Sequence, residues 1–326
     1  MKNKKLNVVY ASDEKFAEIL AVSLESLMQT NPNVTIYVLN NGMSQASVNK
    51  IRNQAKKYAC DIQFMPLKEL EEYAGRELSC QGKISKTAYF RLFMTEIVPN
   101  DVDNLLYLDC DTMVLNSLDE LACFQLKGAC GAVAEPTAKL MKKKISLKKD
   151  DIYFNSGVLL VNLKKWREEN ITQKFVDYME KKNGKISFED QGVINHVLRG
   201  QIDILPFKFN VTTQFFDFGF DGFSRMKKDI VIYGEDEVNK GMRNPSIVHF
   251  TNSFASERPW VIGSYHKYTD RWRKYKVQTD WKDSSEWESS KDFVRRTSKM
   301  IYNILPRKLG AEFIYFINGI VRAFLS

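Results

Sequence analysis

Apolar residues in the first two thirds of the chain occur in short runs, and polar segments with helical spacing separate these runs. Runs of this length, bounded by turn residues and rich in Val, Ile, Leu and Tyr, are typical of buried strands. The pattern predicts strands over residues 6–11, 34–39, 61–65, 105–108, 131–134 and 156–162.

The segments between these strands have the apolar spacing of helices. The spacing predicts helices over residues 16–28, 44–59 and 87–97. The first follows a Ser12-Asp13 turn or N-cap, and the last stops before Pro99. Strands that alternate with helices indicate an α/β fold with a mostly parallel central sheet and helices on both faces.

The alternation weakens in the last third of the chain. Short strands are predicted over residues 202–205, 230–233 and 246–250. The aromatic, glycine-containing stretch 215–220 indicates a pocket loop rather than a helix. A polar stretch rich in tryptophan follows, and we place the domain boundary near residue 265, after Trp260 and Gly263.

Asp109-Cys110-Asp111 is the most informative motif of the sequence, because it joins two apolar runs. An unpaired ionised carboxylate inside a protein costs several kcal/mol or shifts its pKa. A hard divalent cation, bound by both acids and by a phosphate oxygen, would remove that cost. The alternative is an ordinary turn with solvated acids. The Ser12-Asp13 segment also follows a strand, so both segments are expected at one edge of the sheet, where α/β proteins bind ligands.

Composition limits the classes of function. The chain has 326 residues, a length that suits one large α/β domain or a domain with an appendage, and 44% of the residues are hydrophobic. Its net charge is +8. The basic residues lack the interleaved Gly-aromatic pattern of RNA-binding strands, so no nucleic-acid partner is expected. Five cysteines without a Cys-x-x-Cys pair argue against a zinc or redox site and fit a reducing compartment. We expect neither a signal peptide nor a membrane-spanning helix.

His249 closes an apolar stretch and is a candidate third ligand. A single histidine at a strand end is usually an ordinary polar residue. Two carboxylates and an imidazole together, however, form a ligand set that suits a transition metal.

Six short segments, in their order and spacing, closely resemble the retaining glycosyltransferases of family 8, which include bacterial lipooligosaccharide galactosyltransferases and glycogenins. The resemblance covers residues 6–260. The segments are Val-Tyr-Ala-Ser-Asp at 9–13, Ala-Tyr-Phe-Arg-Leu at 88–92, Tyr-Leu-Asp-Cys-Asp at 107–111, Tyr-Phe-Asn-Ser-Gly-Val at 153–158, Glu-Asp-Gln-Gly at 189–192 and Val-His-Phe-Thr at 248–251.

The resemblance implies a nucleotide-binding, Rossmann-like fold of the GT-A type, a UDP-hexose donor and Mn²⁺, with Mg²⁺ as the alternative. It implies metal binding by Asp109, Asp111 and His249, and it makes Asp190 and Gln191 the catalytic candidates beside the transferred sugar. It also implies uridine contacts by Ala11 and Asp13 and stacking of Phe16 on the uracil ring. The full set of implied donor contacts is Ala11, Asp13, Phe16, Arg91, Asp109, Cys110, Glu135, Asn155 and Arg258.

Taken singly, four of these residues have ordinary structural alternatives. Phe16 is then the first core residue of its helix, and Arg91 is an exposed helix arginine. Asp190 is then the N-cap of a helix that ends near residue 198, and Asn155 holds a turn.

Two positions depart from the family pattern. Family members commonly have Gly and then Lys-Pro-Trp after the histidine, whereas here Arg258 precedes Pro259 and Trp260 and the loop is longer. Arginine can hold a diphosphate bidentately. Glu135 stands where the family often has aspartate.

The resemblance implies a retaining α-hexosyltransferase that moves galactose or glucose from UDP to a cell-surface glycan or a lipid-linked saccharide. Residues 1–265 would form the nucleotide-sugar-dependent domain, and residues 266–326 a helical, basic, membrane-associating extension. A catalytically silent UDP-sugar-binding protein and a self-glucosylating primer like glycogenin are the alternatives. The donor sugar, the acceptor, the choice between a nucleophile and same-face attack, and the oligomeric state stay open.

Two basic clusters suggest how the acceptor is reached. The first, at residues 139–149, is either a mobile lid that attracts an anionic acceptor or a solvated loop. The second precedes apolar residues with helical spacing at 313–324, a pattern typical of interfacial membrane binding. We therefore expect a peripheral protein on the cytoplasmic face of the membrane, with a helix packed on protein as the alternative.

Overall fold

The computed structural model describes residues 6–66, 86–137, 139–183, 186–227, 232–253, 255–289 and 304–305. The strands in these ranges are β1 Leu6–Asp13, β2 Val34–Asn41, β3 Asp61–Pro66, β4 Asn104–Leu108, β5 Thr112–Val114, β6 Cys130–Ala134, β7 Phe154–Asn162, β8 Ile202–Ile204, β9 Val211–Thr212 and β10 Ile247–His249.

The α-helices in the same ranges are α1 Ala17–Thr30, α2 Gln45–Lys57, α3 Asp119–Ala122, α4 Lys139–Lys144, α5 Leu163–Glu168, α6 Ile171–Lys181, α7 Glu189–Val197, α8 Thr213–Lys227, α9 Glu235–Arg243 and α10 Thr269–Lys276. Tighter 3₁₀ segments are Glu14–Phe16, Lys86–Glu96 and Phe207–Phe209.

Within the described ranges, seven strands form the central sheet in the order β3-β2-β1-β4-β7-β6-β8. The pairings β3-β2, β2-β1, β1-β4 and β6-β8 are parallel, and β7 runs antiparallel to both of its neighbours. Strands β1, β4, β6 and β7 are buried along almost their whole length. Because successive side chains point to opposite faces, such burial means that both faces are covered. The mostly parallel α/β fold predicted from the sequence is confirmed.

A second sheet of three strands, in the order β5-β10-β9, explains how distant segments meet. Strand β5 begins directly after Asp111 and pairs antiparallel with β10, so that Thr112 lies opposite His249. This pairing brings a histidine from late in the chain beside the two acids.

Two predicted elements differ from the structure. Residues 215–220, which the sequence predicted as a pocket loop, belong to α8. Phe215 and Phe218 are one helical turn apart and both are buried, so the helix places them on one core-facing side. Gly219 interrupts this helix with a φ of 69°, a conformation that glycine adopts readily. The expected α-helix over 87–97 is a 3₁₀ segment broken at Phe93. Residues 89–94 are all buried, so this segment lacks the solvent-exposed face of an amphipathic α-helix.

The helix boundaries near β1 and β2 follow local capping. The Asp13 carboxylate accepts a hydrogen bond from the Phe16 amide at 3.0 Å, as expected for an N-cap. Ser44 caps α2 in the same way through the Ser47 amide at 3.2 Å. Residues 230 and 231 of the predicted strand over 230–233 lie outside the described residues, and residues 232 and 233 are not in a strand.

Helix α10, in the described part of the C-terminal extension, packs against α1. Trp272 and Tyr275 of α10 belong to a buried cluster with Ile19 and Val22 of α1. The Lys276 ammonium lies 2.7 Å from the Glu18 carboxylate, and both side chains are about nine-tenths buried. The boundary near residue 265 stays a prediction, and the predicted helix over 313–324 lies outside the described residues. Among the residues described, no helix combines the length and apolar character needed to cross a bilayer.

We expect Trp272→Ala to lower the free energy of unfolding by about 3–5 kcal/mol, because it removes a large side chain that is 1% exposed. Urea denaturation would measure the change. Tyr265→Ala is the matched control, since that aromatic side chain is 82% exposed. Equal stability of the two variants would mean that α10 contributes little to the core.

Candidate active site

One edge of the central sheet gathers the polar residues singled out from the sequence. Strands β1, β4 and β6 end there, and antiparallel β7 begins there. Asp13, Asp109 and Glu135 lie at or just past the three carboxyl ends, and Asn155 lies at the start of β7. The strand order changes direction between β1 and β4, which is the place where open α/β sheets bind ligands.

Asp109, Asp111 and His249 form a compact cluster at this edge. The His249 Nε2 atom is 3.2 Å from an Asp111 oxygen and 3.6 Å from an Asp109 oxygen. One candidate ligand atom from each residue lies within 4.8 Å of the others. The side chains of Asp111 and His249 are 12% and 5% exposed. The cluster is therefore largely withdrawn from water.

The charges in this cluster stabilise one another. Burial works to lower the pKa of His249, but the negative charges of Asp111 and Asp109 outweigh it and raise that pKa above its usual value. Burial likewise works to raise the pKa of Asp111, but His249 and Arg258 bring it below its usual value. Two carboxylates that face one imidazole stabilise a positive charge placed between them.

These three residues fit a divalent metal ion by the chemistry of their ligand atoms. Carboxylate oxygens and one imidazole nitrogen suit metals such as Mn²⁺, Fe²⁺ or Zn²⁺. Gly157 leaves the space beside the cluster clear, because a Cβ there would lie 2.1 Å from His249 Cε1 and 2.7 Å from an Asp109 oxygen. The sequence motif contained this glycine, but no role was assigned to it.

Arg91 lies between two acids and is not the exposed helix arginine of the structural alternative. Its guanidinium contacts an Asp109 oxygen at 2.7 Å and an Asp190 oxygen at 3.1 Å, and it donates to the Ser156 carbonyl at 2.9 Å. The Tyr107 ring lies 4.3 Å below it. Burial alone would lower the pKa of Arg91, but the two acids raise it well above its usual range. Arg91 thus joins Asp109, and with it the Asp109–Asp111–His249 cluster, to the catalytic candidate Asp190.

Asp190 lies in the first turn of α7, while Phe188 holds the N-cap position, so the N-cap alternative for Asp190 is wrong. Burial raises the pKa of Asp190 to about 6, although Arg91 opposes the shift. Phe188 and Glu189, just before it, have positive φ values of 64° and 54°. Backbone in this conformation is unusual for bulky residues and is often found at functional sites.

The Gln191 side chain is held at both ends. Its oxygen accepts from the Ser156 amide at 3.0 Å, and its nitrogen donates to the Tyr153 hydroxyl. Burial raises the pKa of Tyr153 well above its usual value, so this hydroxyl stays protonated. Tyr153 and Ser156 are therefore supporting residues that the sequence motif contained without a stated role.

The predicted uridine contacts lie at the end of β1. The Ala11 carbonyl accepts a hydrogen bond from the Cys110 thiol at 3.1 Å, which joins β1 to the acidic turn. Phe16 is partly buried, and its ring meets Trp287 edge-on with centroids 5.7 Å apart. Phe16 thus combines core contacts with partial exposure, and its stacking role stays a prediction.

Arg258 lies against the cluster of Asp109, Asp111 and His249. Its guanidinium is 3.1 Å from an Asp111 oxygen and donates to the Phe250 carbonyl at 2.9 Å. The Trp260 ring centroid is 5.5 Å from the guanidinium carbon. The Arg-Pro-Trp segment therefore brings a cation to the same place as the acids.

The lysine cluster at 139–149 is anchored to the protein by one of its own members. Lys142 is 1% exposed, and its ammonium donates to the carbonyls of Lys149 and Asp151 at 3.3 and 2.7 Å. The Ile145 carbonyl contacts the ring of His196 in α7 at 2.8 Å. The other lysines of the cluster are exposed: Lys139, Lys143, Lys144, Lys148 and Lys149. Their charges project from α4 and the turn that follows it, a segment that is tied to α7 through His196.

Comparison with known proteins agrees with this geometry. The family model for glycosyl transferase family 8 matches residues 7–261. A Haemophilus influenzae protein described as a glycosyltransferase is 32% identical over 213 residues, which are 64% of this chain and 63% of that protein. Escherichia coli lipopolysaccharide 1,2-glucosyltransferase is 26% identical over 290 residues, which are 86% of this chain and 80% of that protein.

A solved structure has the same architecture. The galactosyltransferase LgtC, determined in complex with donor and acceptor sugar analogs, superposes with a TM-score of 0.70 at 24% identity, over 84% of this chain and 96% of that one. This likeness concerns the fold, which is that of the GT-A glycosyltransferases. Because the family model spans the chain from β1 past the histidine and Arg258, this protein belongs to glycosyl transferase family 8 and is a glycosyltransferase.

Proposed function

We propose that this protein is a retaining α-hexosyltransferase that transfers galactose or glucose from UDP to a glycan or lipid-linked saccharide and depends on Mn²⁺. The observation that carries the proposal is the Asp109, Asp111 and His249 cluster at the ligand-binding edge of a family 8 fold. Mg²⁺ is the alternative ion, because carboxylates also suit it.

A divalent cation bound by the three ligands would neutralise charge on the donor diphosphate as UDP departs. Arg258 lies beside Asp111 and would stabilise the same developing charge. A guanidinium suits this role because it can donate bidentate hydrogen bonds to phosphate oxygens. Ala11 and Asp13 of β1 would contact the uridine, and Phe16, in the 3₁₀ segment that follows, would stack on the uracil ring.

The transferred sugar would lie against Glu135, Asn155 and Gln191. Asp190 is buried, and one of its oxygens is engaged by both Arg91 and Ser156, at 3.1 and 3.2 Å. These contacts favour a role for Asp190 as a counter-ion that positions Arg91. We therefore propose same-face attack by the acceptor, assisted by the leaving phosphate, rather than a covalent intermediate on Asp190.

A donor screen tests the proposed reaction. The protein is incubated with Mn²⁺ and each of several UDP-sugars, and UDP release is measured beside the intact mass of the protein. A transferase is expected to release UDP from one UDP-hexose while the protein mass stays unchanged. A self-glucosylating primer instead gains mass in steps of about 162 Da, one hexose residue per step. Binding without UDP release would support the catalytically silent alternative.

We propose that the exposed lysines of the 139–149 cluster attract an anionic acceptor. Lys142 is left unchanged in the test variant, because it is buried and anchors this segment, so that its replacement would disturb the segment itself. The variant with Lys139, Lys143 and Lys144 changed to Ser should reduce transfer to a phosphorylated acceptor by about 10-fold, with donor hydrolysis unchanged. Steady-state kinetics at low ionic strength would measure both rates.

The matched control changes Lys56, Lys57 and Lys164, which are also exposed but lie elsewhere, to Ser. An equal loss of transfer in both triple variants would show that net charge, and not the position of the cluster, determines acceptor use.

We also propose that the chain works at the inner face of the membrane. The support is the sequence pattern of apolar residues at 313–324 with basic residues before them. Sedimentation with anionic vesicles at low salt tests this part of the proposal separately from the chemistry.

A further inference from the structure

Asn210 contacts His249 on the side of the imidazole that faces away from the two acids, and the sequence pattern gave no indication of this contact. Its side-chain oxygen lies 3.0 Å from Nδ1 of His249, on the side of the ring away from Asp109 and Asp111. Asn210 is 1% exposed and His249 is 4% exposed, so water does not compete for this contact.

A network of hydrogen bonds determines how the side-chain amides of Asn155 and Asn210 are oriented. The Gly157 amide can only donate, and it lies 3.0 Å from one side-chain atom of Asn155, which must therefore be the oxygen. The Asn155 nitrogen then faces Glu135 and donates to its carboxylate at 2.9 Å. This assignment gives the Asn155 oxygen a donor and the Asn155 nitrogen an acceptor.

The same hydrogen-bond network determines the orientation of the Asn210 amide. The oxygen of Asn155 also accepts from the Asn210 nitrogen at 2.8 Å, which leaves the Asn210 oxygen to face His249. A carbonyl oxygen can only accept, so Nδ1 of His249 must carry a hydrogen. In the neutral ring the lone pair is then on Nε2, the atom that lies between the two acids.

We infer that Asn210 is a positioning residue that selects the Nδ1–H tautomer of His249 and thereby presents Nε2 as a metal ligand. The inference rests on the proposed metal-dependent function. Asn210 also links His249 to Glu135, because the hydrogen-bond network runs from His249 through Asn210 and Asn155 to the Glu135 carboxylate.

The backbone around Asn210 is well suited to this role. The residue lies between the 3₁₀ segment Phe207–Phe209 and β9, and β9 pairs in parallel with β10, which carries His249. The Ser246 amide donates to the Lys208 carbonyl at 2.8 Å and joins the same two segments again. Asn210 and His249 therefore stand on neighbouring, mutually bonded backbone.

Mn²⁺ affinity of the protein without donor tests the inference directly. Electron paramagnetic resonance of free Mn²⁺ would be followed during titration of wild type, Asn210→Ala and Asn210→Asp. We expect Asn210→Ala to weaken Mn²⁺ binding by about 10- to 100-fold, the usual effect of removing the partner of a ligand histidine. Asn210→Asp keeps an oxygen for Nδ1–H but loses the donor to Asn155, so we expect it to retain Mn²⁺ affinity.

Asn31→Ala is the matched control, because Asn31 is also buried and hydrogen-bonded but lies at the opposite edge of the sheet. Equal Mn²⁺ affinity of wild type and Asn210→Ala would overturn the inference. Equal weakening in the Ala and Asp variants would also overturn it, since that result would reflect a structural role for the amide donor alone.

Nitrogen-15 NMR of the imidazole provides a second readout that needs no metal. In alkaline buffer, where the ring is neutral, we expect the hydrogen of His249 on Nδ1, with the signal assigned by its absence in His249→Gln. A hydrogen on Nε2 would contradict the inference. If wild type bound no Mn²⁺ at all, the proposed metal dependence would fail, whereas the NMR result would still decide the role of Asn210.

Discussion

Asp111→Asn is expected to lower sugar transfer by at least about 100-fold while the protein stays folded. Even the loss of a residue that only supports a metal ligand commonly costs 10- to 100-fold in affinity or activity, so the loss of a ligand should cost at least as much. The substitution preserves volume but removes the charge that faces His249 and Arg258. His249→Ala should have a similar effect. Transfer rates and Mn²⁺ titrations would measure the loss.

Asp109→Asn should differ from Asp111→Asn in stability. The Asp109 carboxylate also pairs with the buried Arg91 and accepts from the Tyr107 hydroxyl at 2.9 Å. Removal of one charge from a buried pair is strongly destabilising, so we expect a larger fall in melting temperature for Asp109→Asn than for Asp111→Asn, because Arg91 is more deeply buried than Arg258. Asp103→Asn is the control, because that exposed aspartate precedes the other end of β4. Near-normal activity of Asp111→Asn at low Mn²⁺ would remove Asp111 from the ligand set.

Gly157→Ala is expected to abolish most transfer and to weaken Mn²⁺ binding by at least about 10-fold. The added methyl group would lie 2.1 Å from His249 Cε1 and 2.7 Å from an Asp109 oxygen, so both side chains would have to move. Kinetic assays and Mn²⁺ titration would measure the effect. Gly234→Ala is the matched control, since a Cβ there meets nothing within 4 Å. A Gly157→Ala variant with normal Mn²⁺ affinity would mean that His249 does not occupy this position in the active protein.

The sequence was sufficient for those features that depend on local pattern. Apolar runs predicted the strands of the central sheet, because strands covered on both faces must be apolar throughout. The acids at the end of β4 were recognised since charge next to a buried strand needs compensation. The helix cap at Asp13 followed from the ordinary preference for such residues before a helix.

Features that depend on contacts between distant segments could not be predicted in this way. Asn210 resembles any asparagine in a loop, and only the pairing of β9 with β10 brings it to His249. Lys142 is indistinguishable from its neighbours in the sequence, yet it alone among the described members of the cluster is buried. Trp272 was recognised as part of a polar, tryptophan-rich stretch, but its packing against α1 depends on the tertiary fold.

The anomeric configuration of the hexose released from the donor tests the central claim most directly. Proton NMR would follow the hydrolysis of UDP-glucose and UDP-galactose with Mn²⁺ and, separately, with chelator. The account predicts that one donor releases the α-hexose first, only with Mn²⁺, and that Asp111→Asn releases none. Initial release of the β-hexose, or equal turnover in chelator, would contradict a metal-dependent retaining transfer at this site.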